Sequence, residues 1–158
     1  MIASNDFVFV DHLVGEAEDK KAAKGLAALC ATEKHAIAIW AASGIIGNGG
    51  FQYFFENGLS AEAAAEGYDA IGMAETADIF RTALSLFPNG KPQTDWEEAL
   101  AFIRSKENLF NTLSSVVWNS EVEMVSRLAR YLRESASPIS RLTNTTTNDS
   151  IATSTPHQ

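Results

Sequence analysis

The segment from Asn48 to Gly58, NGGFQYFFENG, combines side chains that could bind a ligand with residues that interrupt a helix. Its polar groups stand beside four aromatic residues and could line a small pocket. The candidate pocket residues are Asn48, Gln52, Tyr53 and Asn57. In the structural alternative, Asn48 and Gln52 satisfy backbone groups that are freed where two helices break. Both interpretations are consistent with the sequence.

Carboxylates dominate the part of the chain that follows. Residues 35–80 contain no Lys or Arg, and their acids form a candidate partner-binding surface: Glu56, Glu62, Glu66, Asp69, Glu75 and Asp78. Side chains three or four positions apart on a helix lie roughly 5–6 Å from each other, a spacing comparable to that of phosphates along one DNA strand. Such a stripe could occupy a protein groove built for phosphates. A solvated face that only keeps the protein soluble explains the same pattern.

Several function classes lack their characteristic residues. The net charge of −8 and the absence of a basic patch argue against direct binding to nucleic acid. The three histidines, His12, His35 and His157, lie in no recognisable nucleophile setting, and no G-x-S-x-G, Walker A or dinucleotide motif is present. His35 begins an apolar segment, which favours a packed or capping residue. We therefore predict a protein that is not an enzyme and that has no cofactor and no metal site.

Cysteine content and the N-terminal residues favour a cytoplasmic protein. The single cysteine, Cys30, excludes an internal disulfide and a cysteine-based zinc site, and its context AALCATE predicts a buried small residue. The N-terminal residues lack the pattern of an export signal, which is a basic segment followed by an apolar one. The uncharged run from His35 to Phe55 is interrupted at Asn48–Gly50, so neither half reaches the ~20 apolar residues of a membrane-spanning helix.

The elements that must position these residues are helices, because apolar residues recur at helical spacing and no second convincing strand is present. We predict an all-α, compact bundle of about six or seven helices whose central helix is broken at Asn48–Gly50. The expected helices cover 16–31, 32–46, 51–57, 61–72, 73–87, 94–103, 107–118 and 120–132. The first fourteen residues are expected to form a short helix or an extended arm.

Particular residues are expected to begin these helices or to face the core. Ser60 is a predicted N-cap, as is Thr32, and the pairs Thr94–Glu97 and Ser120–Glu123 have the spacing of capping boxes. The residues predicted to be buried include Phe51, Phe54 and Phe55 after the break, Ala22, Leu26, Leu29 and Cys30 before it, and Val122, Val125, Leu128, Ala129 and Leu132 in the last helix.

The composition changes near residue 135. Residues 136–158 are rich in Ser and Thr and contain few large apolar side chains. Such a segment cannot offset its ordering entropy by burial, so we predict a disordered tail. The domain organisation expected from the sequence is a single helical domain over residues 1–135, followed by that tail.

The segment NGGFQYFFENG and the continuation AEGYDAIGMAETADIFRTALSLFPNG resemble the motifs of a bacterial family named after a DNA-mimic protein, the DMP19-like family. The resemblance covers about residues 30–135. This chain departs from the family pattern at two places. Gly47 stands where Asn is usual, and the apolar pair Ile45-Ile46 replaces the acidic residue that often precedes that Asn. The resemblance implies an all-helical fold. For the founding member it also implies binding to a DNA-binding regulator by imitation of the charge of DNA.

The leading hypothesis is a non-catalytic, cytoplasmic, protein-binding domain whose acidic surface engages a basic partner, such as a transcriptional regulator or a basic toxin. The first alternative is a small-molecule-binding protein or enzyme with its pocket at the Asn48–Gly58 segment. The second is an assembly role, such as a homodimer, through an exposed aromatic patch. No direct contact with nucleic acid or with a membrane is expected.

Overall fold

The computed structural model describes residues 4–136, and within that range the chain forms seven α-helices and no β-strand. They are α1 (Ser4–Lys24), α2 (Ala31–Glu56), α3 (Ala61–Ala70), α4 (Ala74–Ser85), α5 (Trp96–Ser105), α6 (Glu107–Asn119) and α7 (Glu121–Ser135), with short 3-10 turns at Leu26–Ala28 and Pro88–Gly90. The predicted all-α bundle is therefore confirmed for the described residues. Apart from Ala136, the tail predicted to be disordered lies outside them.

Helix α2 is the element around which the others pack. It contacts α1, α3, α5, α6 and α7. Its buried residues before the break lie on more than one side of the helix, and they are Ala36, Ile37, Ile39, Ala42, Ser43 and Ile46. A helix that is apolar on several sides must be covered by neighbours on those sides. Among the described residues, no helix has both the length and the apolar character that crossing a bilayer requires.

The break in α2 lies at Gly49 and Gly50, within the predicted segment Asn48–Gly50. Gly49 is non-helical (φ −157°, ψ 19°), and Gly50 has φ +66° and ψ −164°, a conformation that is open essentially only to glycine. The Phe51 backbone N–H, directly after the break, donates to the Ser114 hydroxyl of α6 at 3.0 Å, which ties the second half of α2 to α6.

Aromatic residues after the break form the centre of the core, as predicted. Phe51 and Phe54 are each 1% exposed and Phe55 is 8% exposed. The Phe51 ring packs edge-on against Phe80 of α4, with centroids 5.4 Å apart, and also contacts Phe110 of α6. Because aromatic side chains bury large areas, this cluster connects α2, α4 and α6 around one core.

The N-terminal third differs from the sequence-based expectation. Residues 4–24 form one helix, and the predicted helix over 16–31 was wrong at both ends. Gly25 takes a left-handed φ of +85° and stops α1, so the expected buried face does not form. Of its four members only Leu29 is buried, while Ala22, Leu26 and Cys30 are exposed.

Most of the other differences from the sequence-based predictions concern the residues at which helices begin. The N-cap of α2 is Cys30 rather than Thr32, which explains why this cysteine is exposed, and the N-cap of α5 is Asp95 rather than Thr94. The Ser60 cap is confirmed, since its hydroxyl accepts from the Ala63 N–H at 3.1 Å. The Ser120 hydroxyl donates back to the Val117 carbonyl instead of capping α7. Val122, which was expected to be buried, is 46% exposed.

Candidate functional site

The six predicted surface carboxylates are all exposed, and they lie at the end of α2 and along the α3–α4 hairpin. Arg81 of α4 donates to Asp78 at 2.9 Å and also to Asp69 of α3. These hydrogen bonds, with that to Asp69 the stronger influence, raise the pKa of the Arg81 guanidinium. Two carboxylates of the predicted surface are therefore paired with a cation that lies just past the base-free segment.

Four carboxylates of that surface make no ion pair with any described residue: Glu56, Glu62, Glu66 and Glu75. We call these four the unpaired acidic set. Glu62 accepts one hydrogen bond, from the Ser60 hydroxyl at 3.3 Å. Arg127 of α7 pairs with Glu123 at 2.8 Å and donates to the Gly72 carbonyl at the α3–α4 turn. The arginines of α7 therefore do not form ion pairs with this set.

The four predicted pocket residues do not converge on one cavity. Asn48 lines an open cleft of about 350 Å³ with Asn111, Ser115 and Trp118, whereas Gln52 lines a separate cavity of only about 60 Å³. The Asn57 side-chain amide donates to the carbonyl of Tyr53 at 2.8 Å and so satisfies the end of α2. The backbone group freed at the break is satisfied by Ser114 rather than by Asn48 or Gln52.

Two half-exposed aromatic rings cover the glycines on either side of Asn48. A Cβ atom on Gly47 would lie 2.4 Å from the Trp118 indole, and one on Gly49 would lie 2.3 Å from the Tyr53 ring. Only a residue without a side chain allows these rings to pack so closely. Trp118, which is 53% exposed, therefore covers the helix at Gly47.

A groove of about 500 Å³, larger than the two cavities at the break, lies on another side of the molecule. It is bounded by α1, the turn after it, α2 and the start of α3, and its lining includes Glu18, Lys21, Leu26, Lys34, His35, Ile37, Ala38, Ala41, Phe54, Leu59, Ala63 and Glu66. We call it the α1–α3 groove. Sequence analysis missed it because its residues are scattered over separate elements. A weak signal was present in the alanines of α2 and α3, which leave space between helices.

His35 and Tyr68 are titratable side chains in or near the core of the described residues. No three His, Cys, Asp or Glu side chains among the described residues are placed to hold a metal ion. His35 Nδ1 shares a hydrogen bond of 2.8 Å with the Tyr131 hydroxyl, which agrees with the packed role expected for this histidine. Burial raises the pKa of the Tyr68 hydroxyl; the charge of Glu121 adds to the effect and the Ser43 hydroxyl opposes it.

Comparison with known proteins identifies a family. The family model of DMP19-like proteins matches residues 27–135, which are the elements from the turn before α2 to the end of α7. No curated protein and no solved structure matches the chain. Helix α1, which supplies one wall of the α1–α3 groove, precedes the matched range. Because the match covers most of the chain, the protein belongs to the DMP19-like protein family.

Proposed function

We propose that this protein is a non-catalytic, cytoplasmic, protein-binding domain whose acidic surface engages a basic, DNA-binding partner. The observation that carries the proposal is the unpaired acidic set, which is exposed to solvent and makes no ion pair within the described residues. Membership of a family named after a DNA-mimic protein supports the same conclusion. A transcriptional regulator or a basic toxin would present the required cations.

The geometry of the α3–α4 hairpin favours a partner that normally contacts phosphates. Glu62 and Glu66 are one helical turn apart on α3, and Arg81 joins Asp69 to Asp78 across the hairpin. The two helices therefore present their carboxylates on adjoining surfaces. Since exposed charges are screened by salt and mainly steer association, binding should weaken steeply as ionic strength rises.

The proposal is tested by removing the charges of the unpaired acidic set. The variant Glu56→Gln/Glu62→Gln/Glu66→Gln/Glu75→Gln loses four carboxylates. The matched control, Asp11→Asn/Asp19→Asn/Glu97→Gln/Glu107→Gln, loses four exposed carboxylates elsewhere, two of them also in the first turn of a helix. Both variants and the wild type are immobilised, and captured proteins from a lysate of the source organism are quantified by mass spectrometry.

We expect wild type and control to capture the same DNA-binding proteins, and duplex DNA or high salt to release them. The variant of the unpaired acidic set should lose them at every salt concentration. Retention of the same partners by both variants at low and high salt would contradict the proposal. Capture that duplex DNA does not compete would also count against a surface that imitates DNA.

A further inference from the structure

Small side chains form part of the lining of the α1–α3 groove. They are Ala38 and Ala41 of α2 and Ala63 of α3, and Phe54 and Leu59 also line it. The groove has a volume of about 500 Å³ and opens at the surface, since the exposed residues Leu26 and Lys34 belong to its lining. Its volume lies in the range of small-molecule sites, which are mostly apolar with a few polar groups.

Three polar residues of the groove lie where α3 crosses α2. A Cβ atom on Gly67 would lie 3.1 Å from the His35 carbonyl oxygen and 2.7 Å from the Ile39 side chain, so the two helices touch at this point. Glu66 precedes Gly67, and Lys34 precedes His35. We call Lys34, His35 and Glu66 the polar end of the groove; Phe54, Leu59 and Ser60 line it near the turn from α2 to α3.

The charges at the polar end include one unpaired ammonium and one unpaired carboxylate. Lys21 is paired with Glu18, at 3.5 Å. Lys34 and Glu66 line the same cavity, yet neither makes an ion pair with any described residue. The imidazole of His35 is hydrogen-bonded to Tyr131 of α7, so it is not a free partner for a ligand. A ligand head with a single charge would thus satisfy only one of the two groups.

We propose that the α1–α3 groove binds a small zwitterionic amphiphile, an α-amino acid with a long apolar side chain or a molecule of the same pattern. Its carboxylate pairs with Lys34 and its ammonium with Glu66. Its apolar chain runs over Ala38, Ala41 and Ala63 toward Phe54. Each added methylene should tighten binding about threefold to fourfold until the chain reaches Phe54, because burying one methylene is worth about that factor. This site is distinct from protein binding by the acidic surface, although Glu66 belongs to both.

A series of probes with one hexyl tail and four heads tests the proposal on the full chain. Binding of 2-aminooctanoate, octanoate, heptylammonium and heptanol is measured by isothermal titration calorimetry. We expect 2-aminooctanoate to bind most tightly. Lys34→Gln should weaken its binding by about fivefold and remove the preference for it over heptylammonium, since an exposed ion pair is weak. Glu66→Gln should remove the preference for it over octanoate.

Filling the groove provides the decisive control, because Ala63→Leu and Ala38→Leu keep every charge in place. They occupy the cavity from opposite walls, so that one informative variant remains if the other fails to fold, as judged by circular dichroism. Each folded variant should lose measurable binding of 2-aminooctanoate but retain every partner that the acidic surface captures. Absence of binding to wild type at millimolar 2-aminooctanoate, unchanged binding to a filled variant, or a head-group preference that neither charge variant alters would overturn the proposal.

Discussion

The helix break and the α1–α3 groove are both lined by residues with small side chains, but at the break other side chains lie directly against them. At the break, Trp118 covers Gly47, Tyr53 covers Gly49 and the Ser114 hydroxyl approaches Gly50. In the groove, alanines on α2 and α3 face an open space. Small residues therefore have opposite uses in this molecule. At the break they allow other groups to approach the backbone, and in the groove they keep neighbouring helices from filling the space.

The loss of stability on substitution should differ most between a residue that follows the break and a residue at the exposed edge of the groove. Phe51→Ala removes a fully buried ring, so the free energy of unfolding should fall by about 3–5 kcal/mol. Leu26 lines the groove but is 58% exposed, and Leu26→Ala should change stability by no more than about 0.5 kcal/mol. Urea denaturation followed by circular dichroism measures both. Similar losses in the two variants would mean that the groove is part of the core.

Substitution by alanine should have opposite effects on stability at two glycines of α2. Gly50→Ala forces a Cβ atom into a conformation with φ +66°, which should cost about 1–3 kcal/mol. Gly44 lies within the helix, and a Cβ atom added there would have no neighbouring atom within 4 Å, so Gly44→Ala should stabilise the protein by up to about 1 kcal/mol. Thermal and urea unfolding of both variants measure the difference. If both changes stabilise, the break is not a strained site.

The contrast between break and groove explains which parts of the molecule could be predicted from sequence. Breaks, caps and aromatic anchors are contiguous in the chain, so the interruption near Asn48 and the Ser60 cap were predictable from local rules. Cys30 was misplaced because whether it falls inside a helix or at its start depends on Gly25, five residues earlier. The groove joins side chains from α1, α2 and α3, whose relative positions are fixed only by tertiary packing.

The acidic surface was predictable in part for the same reason. Its exposure follows from charge alone, and all six carboxylates are exposed. The pairing of Asp78 with Arg81 follows helical i, i+3 spacing and could have been anticipated. The pairing of Asp69 with the same guanidinium depends on the packing of α3 against α4, so the division of the surface into paired and unpaired carboxylates required the structure.

Gly47→Ala should change stability less, because the ring that covers Gly47 belongs to Trp118, an exposed side chain. The new methyl group would displace the Trp118 indole, which can rotate away because it is half exposed. Loss of that packing opposes the gain in helix propensity, so stability should change by no more than about 1 kcal/mol. Trp118 emission should shift to longer wavelength, measured in a Trp40→Phe/Trp96→Phe background. Unchanged emission would show that the indole does not rest on Gly47.

The smallest effect concerns the contact that joins two walls of the groove. Lys20 of α1 donates to the Glu33 carboxylate of α2 at 3.0 Å, and the Cys30 N–H donates to it at 2.8 Å. Burial raises the pKa of Glu33, but the hydrogen bonds from Cys30 and Lys20 outweigh it and leave the pKa below its ordinary value of 4.5. The unfolded state therefore binds a proton more readily than the folded state.

This contribution to stability is fully present above the ordinary pKa of Glu33 and is lost as the pH falls through its lowered value in the folded protein. Glu33→Gln keeps the shape of the side chain but removes the titration. At neutral pH it should be less stable than wild type by roughly 0.5 kcal/mol, the lower end of the range for contacts at helix starts. The difference should shrink toward zero in strong acid, because the protonated wild-type side chain then resembles glutamine. Urea unfolding of the pair across this range measures it, and a constant difference would show that the ionised carboxylate does not tie α1 to α2.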